Sequence, residues 1–291
     1  MLGIDFGASL TKFCYIDKDG LTHYKHMSSN HEITSEFIKN ELPKFCSSGI
    51  NKCCVTGCGS YKYSKFIQES LNSPVRISES KILAFGIQEI MEKKINYRCL
   101  GGIGQENFQK DFLVVSIGTG VSFFKHSANH ACEHIGGSAV GGGTFLGLSN
   151  LIIHKRDFSE LYGMSKRGNP SNLDLLISDI VGRKNFIGNL TSDIVASAMA
   201  KCFWTEEKPN ELDTVASLLK TICLTIGLQI SSACHTNDID TCILIGGFLD
   251  SDSIISKNIV ESINVFAPNV TAVIPENYHY FGAYCSAISN Q

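Results

Sequence analysis

Residues 111–145 constrain this chain more than any other stretch. An apolar run at 112–115 breaks into the turn Ser116-Ile117-Gly118-Thr119-Gly120, and Gly141-Gly142-Gly143-Thr144 follows. The first glycine turn closes a strand, and the second opens a helix expected over 145–153. Glycine lets a backbone approach an anion, and helix N-termini present free N–H groups to it. The pair reads as a phosphate cradle, so the fold must bring a strand end and a helix start together.

The remaining sequence is consistent with such a fold. With 291 residues the chain can form one large domain or two smaller ones sharing a cleft. A hydrophobic share of 43% with 18% charged residues supports a substantial core. The net charge of −3 points away from nucleic acid and from anionic membrane surfaces as partners. No apolar run reaches the roughly 18 residues of a membrane span, and the opening residues read as strand and turn rather than a secretion signal. A cytoplasmic protein is expected. The twelve cysteines are scattered without a repeated CxxC spacing, which favours free, mostly buried thiols over zinc ligands or a disulfide framework.

Along the chain, 2–6 is an apolar strand carrying Asp5. The turn Gly7-Ala8-Ser9-Leu10-Thr11-Lys12 leads into a second strand that closes near Asp19-Gly20. A strand ending in an acid, then a turn of small residues and a lysine, suits a nucleotide site. Asp5 can hold Mg²⁺ through water, and Lys12 can supply positive charge; an ordinary hairpin fits the same residues. Helices are expected over 32–43 and 80–93. Glu79 at the start of the latter reads either as a capping-region acid or as a general base at a cleft mouth. Further helices are expected over 156–164, 171–182, 191–206 and 213–235. The strand 241–245 ends in Gly246-Gly247-Phe248-Leu249, a turn that can lie against adenine or ribose, and 269–275 is a further strand. His126, His130 and His134 recur at four-residue spacing around Cys132. Their segment is too short and polar for a helix, and in a hairpin that spacing does not converge on one ion.

These motifs resemble type II pantothenate kinases over nearly the whole chain. Gly141-Gly142-Gly143-Thr144-Phe145-Leu146-Gly147-Leu148 is similar to that family's GGGTFxGL, and Ser116–Ser122 to its NIGSGVS. The stretch 56–63 is similar to TGGGAYKF, Gly246–Leu249 to GNFL, and Tyr280-Phe281-Gly282-Ala283 to YFGA. The resemblance implies an α/β, two-lobed actin-like ATPase fold, each lobe a mixed sheet flanked by helices. Residues 1–110 would form the N-terminal lobe, with the Mg²⁺/phosphate turn and the catalytic glutamate. Residues 111–291 would form the C-terminal lobe, with the glycine turns and dimerisation helices, and with a C-terminal helix packing back on the first lobe.

The resemblance also implies ATP-dependent phosphorylation of pantothenate, the first step toward coenzyme A. It makes Glu79 the base. Asp5, Gly7, Ala8, Ser9 and Lys12 become the phosphate and Mg²⁺ turn, and Gly118, Thr119, Gly120, Gly142, Gly143, Gly246, Gly247 and Phe248 become nucleotide contacts. Ser122 is placed on the acceptor, and Val195 and Ala196 reach a neighbouring subunit's pantothenate tunnel, so a homodimer is expected. Acyl-CoA is a candidate inhibitor. One position departs from the pattern: the family's substrate-contacting arginine falls at His134, which offers a weaker, pH-dependent charge, with Lys125 nearby. Two alternatives stay open. One is a weakly active or non-catalytic homologue that binds ATP or acyl-CoA as a regulatory subunit. The other is a kinase for another small hydroxylated metabolite.

Overall fold

Leu2, Ile4 and Phe6 alternate with Gly3 and Asp5, and this period of two builds β1 (Leu2–Phe6) with an apolar outer face. The computed structural model describes residues 1–29, 31–47, 49–71, 74–102, 106–127, 132–182, 191–249 and 254–289. β1 pairs antiparallel with β2 (Leu10–Ile16), which carries β3 (Thr22–Ser28). On its other side β1 runs parallel to β4 (Cys53–Thr56), and β5 (Val75–Arg76) closes the edge. Leu2, Ile4, Phe6, Phe13 and Val55 bury the outer face against Phe37 and Ile38, which follow α1 (His31–Glu36), and against α2 (Leu42–Phe45) and α3 (Ser64–Ser70).

The helix expected over 32–43 is interrupted. Phe37–Glu41 widens into a π turn between α1 and α2. Pro43, at the start of α2, has no N–H to give to the preceding turn, so the regular ladder cannot continue through it.

The inner face of this sheet covers α4 (Glu79–Met91). Beyond α4 lies a second sheet, built from β6 (Tyr97–Gly101), β7 (Phe112–Ile117), β8 (Val121–His126) and β9 (Cys132–Ser138). After a separate ribbon of β10 (Leu175–Leu176) and β11 (Val195–Ser197), it is completed by β12 (Thr241–Ile245) and β13 (Thr271–Pro275), in the order β6-β13-β12-β7-β8-β9. Its outer face carries α5 (Gly142–Ile153), α6 (Phe158–Ser165) and, beyond the short α7 (Ile177–Val181), the long α8 (Glu211–Thr236) and α9 (Ile254–Phe266). α10 (Phe281–Ile288) returns to lie beside α4 between the sheets and packs on β1. Gly3 makes that contact possible: a Cβ there would stand 2.0 Å from the Ala283 carbonyl oxygen. The layers are helix, sheet, helix, sheet, helix. The middle core mixes Cys14 and Cys54 of the first sheet with Val114, Phe124 and Ile243 of the second. β6 precedes residue 110 yet belongs to the second sheet, and α10 follows it yet packs on the first.

Two helices expected around 171–206 are replaced. Residues 170–172 form a 3-10 turn, β10 and β11 pair, α7 is one short turn, and Ala200–Trp204 is again 3-10; 183–190 lie outside the described residues. Buried Asp174 accounts for the break. Its carboxylate accepts from the Met199 N–H and from the Ser217 hydroxyl of α8, holding the segment across the helix rather than along one of its own. α8 is long and apolar enough to cross a membrane by length and composition alone, but 67% of that window is buried inside the protein. All twelve cysteines are free thiols, eight of them buried.

Candidate active site

Strand alternation sets the site. Asp5 points to the inner face with Gly3, Lys12 with Cys14, and Thr56 with Cys54. In register, Asp5 stands opposite Lys12 on β2 and opposite Thr56 on β4, so Lys12, Asp5 and Thr56 form a row across three strands. A second row faces it from the other sheet. Ile245, Ser116 and Ser122 are neighbours across β12, β7 and β8. Glu79, the first residue of α4, sits between the rows. Asp5, Lys12, Thr56, Glu79, Ser116 and Gly246 share the wall of one cavity of about 30 Å³, which Tyr278, His279 and Gly282 close.

Burial dominates the electrostatics. It pushes the Asp5 carboxyl up from its ordinary value, against the pull of Lys12. It pulls Lys12 down, against Asp5 and Glu79. Glu79 rises to about 7, first through burial and then through the Asp5 charge, with Lys12 opposing. His279 falls to about 4 through burial and the positive charges of Lys12 and His26, and is neutral at neutral pH. A carboxyl poised near neutrality beside a lysine and a second acid is suited to taking a proton from a hydroxyl.

The glycine turns meet here. Thr119 Oγ1 donates to Ser9 Oγ at 2.7 Å, which joins the β7–β8 turn to the β1–β2 turn of Gly7, Ala8 and Ser9. Gly142 N–H donates to the Gly118 carbonyl at 2.8 Å and Gly143 N–H to the Thr119 carbonyl at 2.9 Å. Those two helix-start groups are thus directed at the Gly118-Thr119-Gly120 turn, fixing its shape. Gly246, at φ +121°, is pressed so close to β7 that a Cβ would lie 2.3 Å from the Ile117 carbonyl oxygen. Gly247 lies against Lys12, 3.1 Å from its Nζ by the same measure. Phe248 turns the other way: its ring is buried near Phe145 and Phe158, and its N–H donates to the Ile117 carbonyl at 3.0 Å.

The residues expected on the acceptor side are less gathered. Ser122 is half-buried beside Ser116, on the cavity-facing row. His134 is exposed on the edge strand β9, opposite Phe124 with its ring edge-on at 5.1 Å. Lys125 is held in a 3.0 Å ion pair with Asp111. His126 is buried and stacks on Phe112, and His130 lies outside the described residues. Val195 and Ala196 lie in the β10–β11 ribbon and line no part of the cavity, with Phe203 and Trp204 strongly exposed just beyond them. Sequence reasoning missed Thr56, Gly57, Ser116, His279 and Gly282 as site residues. The signal was available, because each lies in or beside a quoted motif.

The family model described as Fumble matches residues 18–289. Type II pantothenate kinase from Bacillus cereus strain ATCC 14579 is 29% identical over 85% of this chain and 84% of its own length. Mouse 4'-phosphopantetheine phosphatase is 28% identical over 96% of this chain, which spans 39% of that relative. Among solved structures, a ROK family glucokinase from Streptomyces griseus in complex with glucose and AMPPNP superposes with a TM-score of 0.57 at 12% identity, covering 99% of this chain and 98% of its own. Glucokinase from Balamuthia mandrillaris, in complex with glucose, gives 0.52 at 11%, over 99% and 92%. These two likenesses establish the sugar-kinase-like, actin-type fold. The family match begins after Asp5 and Lys12, whose place in the site rests on geometry. Over residues 18–289 the match is decisive, and the chain belongs to the Fumble family.

Proposed function

We propose that this chain transfers the γ-phosphoryl group of ATP to the primary hydroxyl of pantothenate, giving 4'-phosphopantothenate and ADP. The observation that carries the reading is Glu79, raised to about 7 at the mouth of α4 and facing the Lys12–Asp5–Thr56 row. The hydroxyl proton passes to the Glu79 carboxylate as the new phosphorus–oxygen bond forms and the bond to the ADP oxygen breaks. Phosphoryl transfer asks chiefly for positioning and charge neutralisation. Lys12 supplies a positive charge beside the Gly7–Ser9 turn. Gly118, Thr119 and Gly120 supply the opposing turn, with Gly246 and Gly247 behind it.

The donor set suits a divalent cation held through water. Asp5 is a half-buried carboxyl, and the cavity beside it has room for one or two waters but not for a hydrated ion. Mg²⁺ arriving with ATP would neutralise phosphate oxygens, with Asp5 meeting it through its hydration shell. Ser122 and His134 contact pantothenate in this reading. Val195 and Ala196 reach the acceptor site of a second copy, and acyl-CoA competes at the same cleft in a cytoplasmic homodimer. The test is ATP consumption with pantothenate against a panel of sugars, glucose included. Turnover with a sugar and none with pantothenate would sink the assignment.

The departure at His134 favours one second reading, a weakly active homologue that binds nucleotide as a regulatory subunit. An exposed histidine on an edge strand makes a weaker carboxylate anchor than arginine. Nucleotide binding without pantothenate turnover would support it.

A further inference from the structure

Thr56 is 1% exposed, and its Oγ1 has no hydrogen-bond partner among the described residues. A buried hydroxyl without a partner is costly, and on a strand it cannot turn back to its own helix carbonyl as a helical threonine can. Valine would fill the same space beside Cys54 without that cost. Thr56 is among the residues that line the cavity of about 30 Å³, with Asp5, Lys12, Glu79 and Ser116, and it stands next to Asp5 in the β1–β4 register. That volume takes one or two waters, and the site offers the several polar partners a buried water needs. The backbone keeps the spacing fixed. Gly57, at φ +84°, approaches so closely that a Cβ would stand 2.5 Å from Asp5 Oδ1, while Gly282 bounds Oδ2 in the same way at 2.9 Å.

We propose that Thr56 is a positioning residue whose hydroxyl holds the water through which Asp5 meets a nucleotide-bound divalent cation. The inference rests on the nucleotide reading above but not on the identity of the acceptor. The hydroxyl and Asp5 each hold the water, and the water presents its oxygen to the cation's hydration shell. Asp5 would thereby act on the cation through water rather than as a direct ligand.

The test uses the full chain as wild type, Thr56→Val and Thr56→Ser. The probe is Mn²⁺ with AMPPNP, without pantothenate, measured by calorimetry beside AMPPNP in EDTA, with thermal melting of the nucleotide-free chains. Outer-shell groups typically govern about 10-fold to 100-fold in metal affinity, so Thr56→Val should weaken Mn²⁺–AMPPNP binding by about tenfold or more. Binding in EDTA should stay unchanged, the melting temperature should not rise, and Thr56→Ser should bind like wild type. Unchanged Mn²⁺–AMPPNP affinity in Thr56→Val, above all with a raised melting temperature, would overturn the inference by showing a merely unsatisfied hydroxyl. Failure of Thr56→Ser to restore binding would overturn it too. A wild-type chain that binds no Mn²⁺–AMPPNP removes the inference and the nucleotide reading together. A wild-type chain that binds Mn²⁺–AMPPNP but turns over no pantothenate in the ATP-consumption assay removes only the acceptor assignment.

Discussion

The two walls of the cleft differ in how firmly their chemistry is held. On the first sheet, Lys12, Asp5 and Thr56 sit on three interior strands, face inward by alternation and meet a half-buried Glu79. On the second, the acceptor-side residues run outward from Ser122 to the edge strand β9, where Glu133, His134 and Ile135 are exposed. Interior strands fix register, because a one-residue slip would turn every core side chain to the wrong face. An edge strand pays no such penalty. Replacing Asp5, Lys12 or Glu79 would take a charged partner out of the cavity, whereas a residue exposed on β9 can be exchanged and leave the core untouched.

The largest effect that separates the two walls is expected from Glu79→Ala. Positioned general bases contribute about 10²-fold to 10⁴-fold, so kcat should fall by that factor while nucleotide binding is retained. Steady-state kinetics with a separate nucleotide titration measures this. In the wild-type enzyme kcat/KM should rise with pH up to about 7, the value of the Glu79 carboxyl, and then level off. Turnover that survives the substitution would break the comparison, because the buried wall would then hold no base.

Gly57→Ala tests the backbone of the same wall. At φ +84° an alanine is strained, and its Cβ would stand 2.5 Å from Asp5 Oδ1 and 2.6 Å from the Phe6 carbonyl oxygen. Left-handed strain and overpacking together should cost about 3 kcal/mol, read from denaturant unfolding. A loss below about 1 kcal/mol, at the floor of the overpacking cost, would mean that the wall relaxes more readily than its burial implies.

Glu79→Gln gives a smaller effect whose sign is fixed by pH. Burial raises the folded-state value above 4.5, to about 7, so between those limits the folded chain keeps a proton that the unfolded chain has released. Stability therefore falls as pH rises through that window, and the cost is complete above 7. Glutamine carries no such cost. The variant should match the wild type below pH 4.5 and be more stable above pH 7 by about 2 kcal/mol, a value discounted for the partial solvent contact of the carboxyl. Thermal melts across that range measure the gap. A gap that narrows as pH rises would contradict the burial of Glu79.

The same contrast explains what could be read in the sequence. Period-two alternation and glycine turns revealed the strands 2–6, 112–117 and 241–245, and the acid–small turn–lysine pattern brought out Asp5 and Lys12, since these follow from local chemistry. Thr56 was quoted within a motif and given no role. Its importance arises only from pairing with Asp5 across β1 and β4, about fifty residues apart in sequence, a contact no local pattern encodes. β5 and β6 were missed because both lie at sheet edges, where alternation is weak, and β5 is only two residues long. The helices expected over 171–182 and 191–206 failed because buried Asp174 bonds to distant Met199 and Ser217, and tertiary contacts override propensity. Phe248 is grouped with the nucleotide contacts through the resemblance of Gly246–Leu249 to GNFL. The packing of Phe145 and Phe158, invisible in one chain segment, draws its ring into the core.

The smallest expected effect belongs to the exposed wall. His134→Arg places a permanent, forked cation on β9, where histidine offers at most one pH-dependent charge. Because the position is exposed and Phe124 packs against the ring only edge-on, the longer side chain can enter solvent without disturbing the core, and stability should hold within about 0.5 kcal/mol. Lys125 cannot take over the anchoring role without leaving Asp111. If His134 faces the pantothenate carboxylate, a charge-assisted bond to arginine should lower KM for pantothenate by about tenfold with kcat little changed, the pattern of added uniform binding. Steady-state kinetics on the two chains measures this. An unchanged KM would place the carboxylate away from β9 and leave Ser122 as the acceptor contact on the second sheet.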